Sequence, residues 1–436
     1  MTISMLKLAD SELPSPSTSG IDESYSDLRI DQLRILWVKV GGLWPLNSGG
    51  RLRSFHLINE LSKHNEMTVI TTHTPPEDPQ ALAAQLTTCR AIRSIPYTPA
   101  KKHSLRFLLA LARSLFTRLP VDLHKNRIPA LGREVASQLE SGQFDICIAD
   151  FLVAVPNLPR NLKTPILFFE HNVEFMIWKR LQKTQNSLIG RALLGLEWRK
   201  MRRYEHDACE RAGVTVAVSE DDRKQLALGA PNSRIEAIPT GVDVDYFKPG
   251  DIAQEIPTEL VFTGSMDWHP NEDAMLYFID KILPLVRRQY PQITVTMVGR
   301  NPSESLRKAA LSANVCLTGT VADVRPYIER AAIYIVPLRI GGGTRLKIYE
   351  ALAMGKPVVS TTIGAEGLPL EDGKHILRAD DPETFSQAIF ALLGNQNQRL
   401  RMARYGRELM EQEYSWRRVA GDFERICRSL AKHRGT

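Results

Sequence analysis

IVPLRIGGGTRLKIYEALAMGKPVVST, residues 335–361, is the stretch on which the fold turns. A strand-length apolar run ends at Leu338, Gly341, Gly342 and Gly343 follow as a loop, and a helical pattern begins near Thr344. Glycines let a backbone turn tightly and approach a ligand with no Cβ in the way. A helix N-terminus adds unpaired N–H groups and the positive end of a dipole, which suit a phosphate. Arg345 and Lys347 place two cations there, against the dipole, and an anion explains them better than helix stability does. Leu346, Tyr349 and Leu352 form the apolar stripe, and Glu350 falls one turn deeper than the phosphate end. Its carboxylate can accept hydrogen bonds from ribose hydroxyls. A helix with a solvated charged face after a Gly-rich turn would carry the same pattern. The P-loop is excluded, because the lysine follows Thr344 and Arg345 in the wrong register.

Outward from this segment, strand-length apolar runs alternate with helical patterns in two series. The first is RILWVKV (34–40), MTVITT (67–72), FDICIAD (144–150), PILFFEH (165–171) and VTVAVSE (214–220). The second is ELVFTGS (259–265), ITVTMVG (293–299), VCLTG (315–319), IYIVPL (333–338) and PVVST (357–361). Continuous apolar runs, rather than alternating ones, predict parallel strands covered on both faces. Between the series lies the Pro-, Gly- and Asp-rich IPTGVDVDYFKPGDIAQEIPTE (238–259). The expected fold is therefore α/β, with two doubly wound Rossmann-like lobes facing across a cleft. The first lobe spans 31–237 and is completed by a C-terminal helix at 410–436; the linker is 238–258 and the second lobe 259–409. Residues 1–30 hold the Ser/Pro/Asp-rich ADSELPSPSTSGIDESYSD (9–27) and are expected to be disordered.

Composition sets bounds on this picture. A chain of 436 residues, 43% apolar and 24% charged, can bury a full core in each lobe. The five cysteines are scattered, with no zinc spacing, which fits buried thiols in a reducing compartment. There is no secretory-signal pattern and no apolar window long enough to span a bilayer, so a cytoplasmic location is expected. The formal charge of +7 favours anionic partners, either phosphates or an acidic membrane surface, and no nucleic acid is expected.

In such folds ligands bind beyond strand C-termini. Asp150 ends one first-lobe strand, and His171 and Asn172 follow the next. Gly49, Gly50 and Arg51 open a helical pattern after the first strand and could bring backbone towards donor phosphates from across the cleft. A lone histidine is more often a hydrogen-bonded structural residue, and Asp150 equally suits a strand-end cap. Asp243 and Asp245 have Asp-x-Asp spacing, but in the linker a turn role is the simpler account, so no metal site is expected.

The 335–361 segment resembles the nucleotide-sugar-binding stretch of family 4 glycosyltransferases, retaining enzymes of the GT-B fold. VAVSEDDRKQL (216–226), IPTGVDVDYFKP (238–249), GLWPLNSGGRLRSFHLINEL (42–61) and YSWRRVAGDFERI (414–426) resemble further family motifs in the same order. The resemblance implies that Glu350 holds the ribose and that Gly264, Gly342, Gly343, Thr344, Arg345, Lys347, Gly49 and Gly50 surround the donor. It further implies that His171, with Asp150, lies near the reacting sugar, and that Arg51 and Asn172 face the acceptor. Two departures stand out. Gly342 occupies the place of the first Glu in the family's Glu-x7-Glu pair, and GSMDWHPNEDA (264–274) lacks the usual Gly-Arg and Lys cations. Thr240 stands where the family's linker has Asn.

A nucleotide-sugar donor, a saccharide or polyprenol-diphosphate-linked acceptor and no essential metal or other cofactor are what the resemblance implies. A catalytically silent scaffold of the same fold remains the alternative. A nicotinamide oxidoreductase is disfavoured, because GGLWPLNSGG breaks the Gly-x-Gly-x-x-Gly register. KKHSLRFLLALARSLFTRLP (101–120) and SLIGRALLGLEWRKMRRYEH (187–206) read as basic amphipathic helices suited to an anionic bilayer. They imply peripheral attachment to the inner face of the plasma membrane; packed lobe helices with basic faces would look similar.

Overall fold

The computed structural model describes residues 32–99, 111–114, 116–185, 187–340 and 345–432. The expected disordered extension, residues 101–110 and 115 of the basic segment 101–120, and Gly341, Gly342, Gly343 and Thr344 lie outside these residues.

The first sheet contains β1 (Arg34–Lys39), β2 (Glu66–His73), β3 (Ala91–Pro96), β4 (Ile146–Asp150), β5 (Ile166–Phe169), β6 (Val214–Ala217) and β7 (Ile235–Ala237). Their order is β3-β2-β1-β4-β5-β6-β7. The second contains β8 (Ile256–Thr263), β9 (Thr294–Val298), β10 (Cys316–Leu317), β11 (Ala331–Val336), β12 (Val358–Ser360) and β13 (Leu377–Arg378), in the order β10-β9-β8-β11-β12-β13. Every pairing between these strands is parallel. Both sheets are doubly wound, as expected: each starts at its centre and reverses direction there, at β1/β4 and at β8/β11.

The continuous apolar runs have the predicted cause. Along β1, Ile35 and Trp37 enter the core on one face of the sheet while Leu36 and Val38 enter the core on the other. Three strands escaped the sequence reading, namely β3, β7 and β13, and all three are edge strands. β3 has no fully buried residue, so it needs no continuous apolar run and shows none.

The helix Trp416–Lys432 crosses back to the first lobe, where Trp416, Val419, Phe423, Ile426 and Leu430 enter the same core as Trp37. Phe423 stacks on Trp37 with ring centroids 5.9 Å apart. The two interlobe connections are tied together beside it. Val242 N donates to Tyr414 O at 2.7 Å, and Trp416 N donates to Val242 O at 3.3 Å. Arg407 closes the junction: its Nη1 donates to the carbonyls of Val244, Phe247 and Ala353 at 2.9, 2.8 and 2.6 Å. Asp243 takes the expected turn role, its Oδ1 accepting from Tyr246 N at 2.9 Å.

Replacing Arg407 strands these carbonyls. Arg407→Ala should cost about 3 kcal/mol of stability in urea unfolding, the scale of charged hydrogen bonds to buried carbonyls. Arg407→Lys should recover part of it, since an ammonium cannot reproduce the guanidinium's planar fork.

Candidate functional site

Both sheet switch points carry the predicted residues, but they differ in what those residues are free to do. In the first lobe, parallel pairing sets Lys39 of β1 opposite Asp150 of β4. Lys39 Nζ lies 3.2 Å from Asp150 Oδ2, which also accepts from Trp37 Nε1 at 2.8 Å. His171, beyond β5, places Nε2 2.8 Å from Asp150 Oδ1 and Nδ1 2.9 Å from Arg53 Nη1. Arginine only donates, so Nδ1 accepts and the ring proton sits on Nε2, on the side facing Asp150. Arg53 in turn donates through Nε to Thr240 Oγ1 at 2.8 Å, which gives the linker's unusual threonine a partner.

All five residues, Lys39, Arg53, Asp150, His171 and Thr240, are buried. Burial lowers the His171 imidazole to about 3, so the ring is neutral, and it lowers the Lys39 ammonium and, to about 10, the Arg53 guanidinium. Burial alone would raise the Asp150 carboxyl, but Lys39 and His171 hold it below the usual carboxylate range.

Phe151 covers this network. Its ring stacks on His171 with centroids 3.7 Å apart, and Lys39 Nζ sits 4.2 Å from its centre. Its backbone, at φ 71 and ψ 153, occupies a region that favours glycine, a strain of about 1–3 kcal/mol that only strong packing sustains. Part of that packing is Gly50: a Cβ there would lie 2.6 Å from the Phe151 ring.

These contacts revise several expectations. His171 is not open to a substrate here, because the ring is buried, its two nitrogens face Arg53 and Asp150, and Phe151 lies over it; it is a positioning residue within a buried network. Asp150 is its anionic centre and likewise offers no exposed oxygen. Arg51 is not available as an acceptor-binding group. Its Nη2 donates to Gly41 O at 2.9 Å and pairs with Glu77 at 2.5 Å, while Nη1 donates to Trp44 O, bracing the loop after β1. Gly50 has a packing role against Phe151. Gly49 does face the second lobe: a Cβ there would lie 3.9 Å from Leu346 Cδ1. Asn172 is half-buried beside the network and its Nδ2 reaches Glu174 Oε1 at 3.4 Å.

The second-lobe switch point is arranged differently. The helix after β11 runs Leu346–Ala353, beginning two residues later than expected, with Arg345 at its cap position. Lys347 points under the end of β8. Its Nζ donates to Asn271 Oδ1 at 2.9 Å and lies 4.1 Å from the centre of the Phe262 ring. Gly264 leaves room for these side chains: a Cβ there would lie 2.7 Å from Lys347 Nζ and 2.8 Å from Asn271 Nδ2, so both ends would have to shift. Glu350, one turn on, is half-buried. Burial raises its carboxyl to about 7 despite Lys347, and burial lowers the Lys347 ammonium to about 7 despite Glu350. Each is thus poised to gain charge from a ligand of opposite polarity. Arg345 is instead directed at the loop after β12, donating to Ile363 O at 3.0 Å with the Glu366 carboxylate at 3.7 Å.

Sequence reading missed Lys39, Arg53, Phe151 and Asn271. Lys39 had a signal, a cation inside an apolar strand; the other three acquire their roles only through contacts distant in sequence.

Residues 48–246 match the profile of Glycosyltransferase Family 4, and residues 257–395 match that of Glycosyl transferases group 1. Phosphatidyl-myo-inositol mannosyltransferase of Mycobacterium leprae is 29% identical over 225 residues, 50% of this chain and 59% of that protein. An uncharacterized 44.6 kDa protein in the cps region of Klebsiella pneumoniae is 23% identical over 227 residues, 50% of this chain and 57% of that protein. The chain thus spans under three-fifths of the length of these curated relatives. A glycosyltransferase from Rickettsia africae superposes with a TM-score of 0.64 at 13% identity, over 92% of this chain and 99% of that one. Anabaena HepE in complex with UDP gives 0.62 at 12% identity, over 91% and 100%. At these identities the structural likeness shows the fold alone, and that fold is GT-B. With both lobes matched in sequence and in architecture, the chain belongs to family 4 of the glycosyltransferases.

Proposed function

We propose that this protein moves a sugar from a nucleotide-sugar donor to a saccharide or polyprenol-diphosphate-linked acceptor, with retention of anomeric configuration, in exopolysaccharide or glycan assembly. The observation that carries this reading is the cradle of Gly264, Asn271, Lys347 and Glu350 at the β8/β11 switch point. Glu350 accepts the ribose hydroxyls. Lys347, with the backbone around Gly264, receives the diphosphate, and Gly49 approaches it from the first lobe. A lysine in that place can neutralise the departing phosphates, so the reading calls for no metal. The lipid acceptor in one relative's name and the cps setting of another support a membrane-borne or capsular acceptor. Among the described residues no helix is long and apolar enough to cross a bilayer, and peripheral attachment to the inner face of the plasma membrane fits such an acceptor.

In this mechanism the bond from the anomeric carbon to the diphosphate oxygen breaks while the acceptor oxygen bonds to the same face. The acceptor's proton passes to the departing phosphate. The protein's part is electrostatic, with Lys347 placed where negative charge accumulates. The buried first-lobe network holds the strand ends and Phe151 in position on the opposite side.

Three outcomes are expected. Glu350→Ala should weaken binding of the preferred nucleotide, chosen by thermal shift among UDP, GDP, ADP and dTDP, by about 1–3 kcal/mol in calorimetry. Unchanged affinity would remove Glu350 from the ribose site.

The Lys347 cation is lost as pH rises through about 7 in the free protein, and a diphosphate restores it. Nucleoside diphosphate affinity should therefore fall from pH 6.5 to 8.5, with proton uptake on binding near pH 8. The bare nucleoside should not show this fall, and Lys347→Gln should abolish it.

His171→Ala should leave nucleotide affinity largely intact but lower stability by about 3 kcal/mol, the cost of breaking a buried charged network. Turnover should fall with it. A stability loss below about 1 kcal/mol would mean that the network is not a rigid support.

A further inference from the structure

The helices Glu174–Thr184 and Leu188–Arg211 pack together as a hairpin rising from the end of β5. Its base is fixed: the buried Glu205 carboxylate accepts from Glu174 N and Phe175 N, each at 2.8 Å. Its tip buries little. Leu188 is 81% exposed and Ile189 76%, and Leu181 and Leu193 beside them are exposed too. Along one helical face Leu188, Ala192, Leu196, Arg199 and Arg203 follow at steps of four, four, three and four residues. The face is therefore apolar at the tip and cationic behind it.

The charge is as one-sided as the apolar surface. Residues 175–203 contain eight Lys and Arg and one carboxylate, a net +7 that equals the formal charge of the whole chain. The one carboxylate, Glu197, is turned inward. It accepts from Val121 N at 2.6 Å and from Ser114 Oγ at 2.9 Å, and pairs with Lys200 at 3.0 Å. These bonds also pin the adjoining turn, on which Phe116 is 91% exposed, against the hairpin.

We propose that the tip of this hairpin docks on an anionic phospholipid bilayer, with Leu188, Ile189 and Leu193 entering the interface and Arg180, Arg191, Arg199 and Arg203 lying among the headgroups. The inference takes the proposed membrane-borne acceptor as its setting, and it specifies the surface that meets the membrane. A second copy of the chain is the poorer occupant, because a two-fold contact would set the exposed arginines of one tip against those of the other. A bilayer meets both halves of the pattern, apolar interior for the tip and negative charge for the cations. Since the hairpin starts three residues after His171, docking also brings the first-lobe strand ends close to the membrane.

The test is sedimentation of the full chain with vesicles of phosphatidylcholine alone or mixed with phosphatidylglycerol, at low and high salt, alongside release of nucleoside diphosphate from the donor. Wild type should bind the anionic vesicles and lose them at high salt. Arg180→Gln/Arg191→Gln/Arg199→Gln/Arg203→Gln should weaken binding about five-fold for each cation removed. Leu188→Ser/Ile189→Ser/Leu193→Ser should weaken it about ten-fold or more, with donor turnover unchanged. Undiminished binding in both variants, or no wild-type binding at low salt, would overturn the proposal while leaving the nucleotide site standing. Loss of a wild-type dimer in the serine variant, seen by analytical ultracentrifugation, would overturn it in favour of self-association. Hairpin-dependent binding without any donor turnover would uphold the docking surface and count against the transferase reading instead.

Discussion

A carboxylate with no solvent exposure has to be charged in company or not at all, and Asp150 is charged in company. Lys39, Trp37 and His171 converge on its two oxygens, and Arg53 extends the set to Thr240 in the linker. Removing one partner would leave an uncompensated charge in the protein interior, so the members hold one another in place. Their positions span β1, β4, the segment after β5, the Gly49–Leu61 helix and the interlobe connection. One buried charge thus fixes how four parts of the first lobe and the linker meet. It also bears on the strained backbone of Phe151, whose ring rests on the same network.

The second lobe uses the opposite strategy at the corresponding topological position. Lys347 and Glu350 are only half-enclosed and have few partners, so burial pushes each towards its neutral form. In the proposed reading, a diphosphate and a ribose would supply the partners that these two groups lack within the protein. The closed network and the open cradle divide the labour between lobes: one preserves geometry, and the other waits for charge.

These lobes communicate through few covalent connections, and those are clamped. Arg407 gathers three carbonyls from two segments, and the bridge between Val242 and Ser415 pairs the outgoing linker with the returning chain. The final helix then spends its apolar face on the first-lobe core. Any lobe movement that the proposed sugar transfer requires would turn about this junction.

The sequence alone determined what depends on short-range pattern. Continuous apolar runs announced central parallel strands, because those must be covered on both faces, and the pattern around Lys347 and Glu350 pointed to the strand end where the proposed donor site lies. Edge strands β3, β7 and β13 carried no such signal, since their exposed sides tolerate polar residues. Only the tertiary structure could decide what each candidate side chain was free to do. Arg51 looked available until Glu77 and the carbonyls of Gly41 and Trp44 claimed it. His171 was expected beside the reacting sugar, but its nitrogens face Asp150 and Arg53, 21 and 118 residues away, inside the protein. Availability is a matter of partners and burial, and those are set by packing between residues that no local pattern brings together.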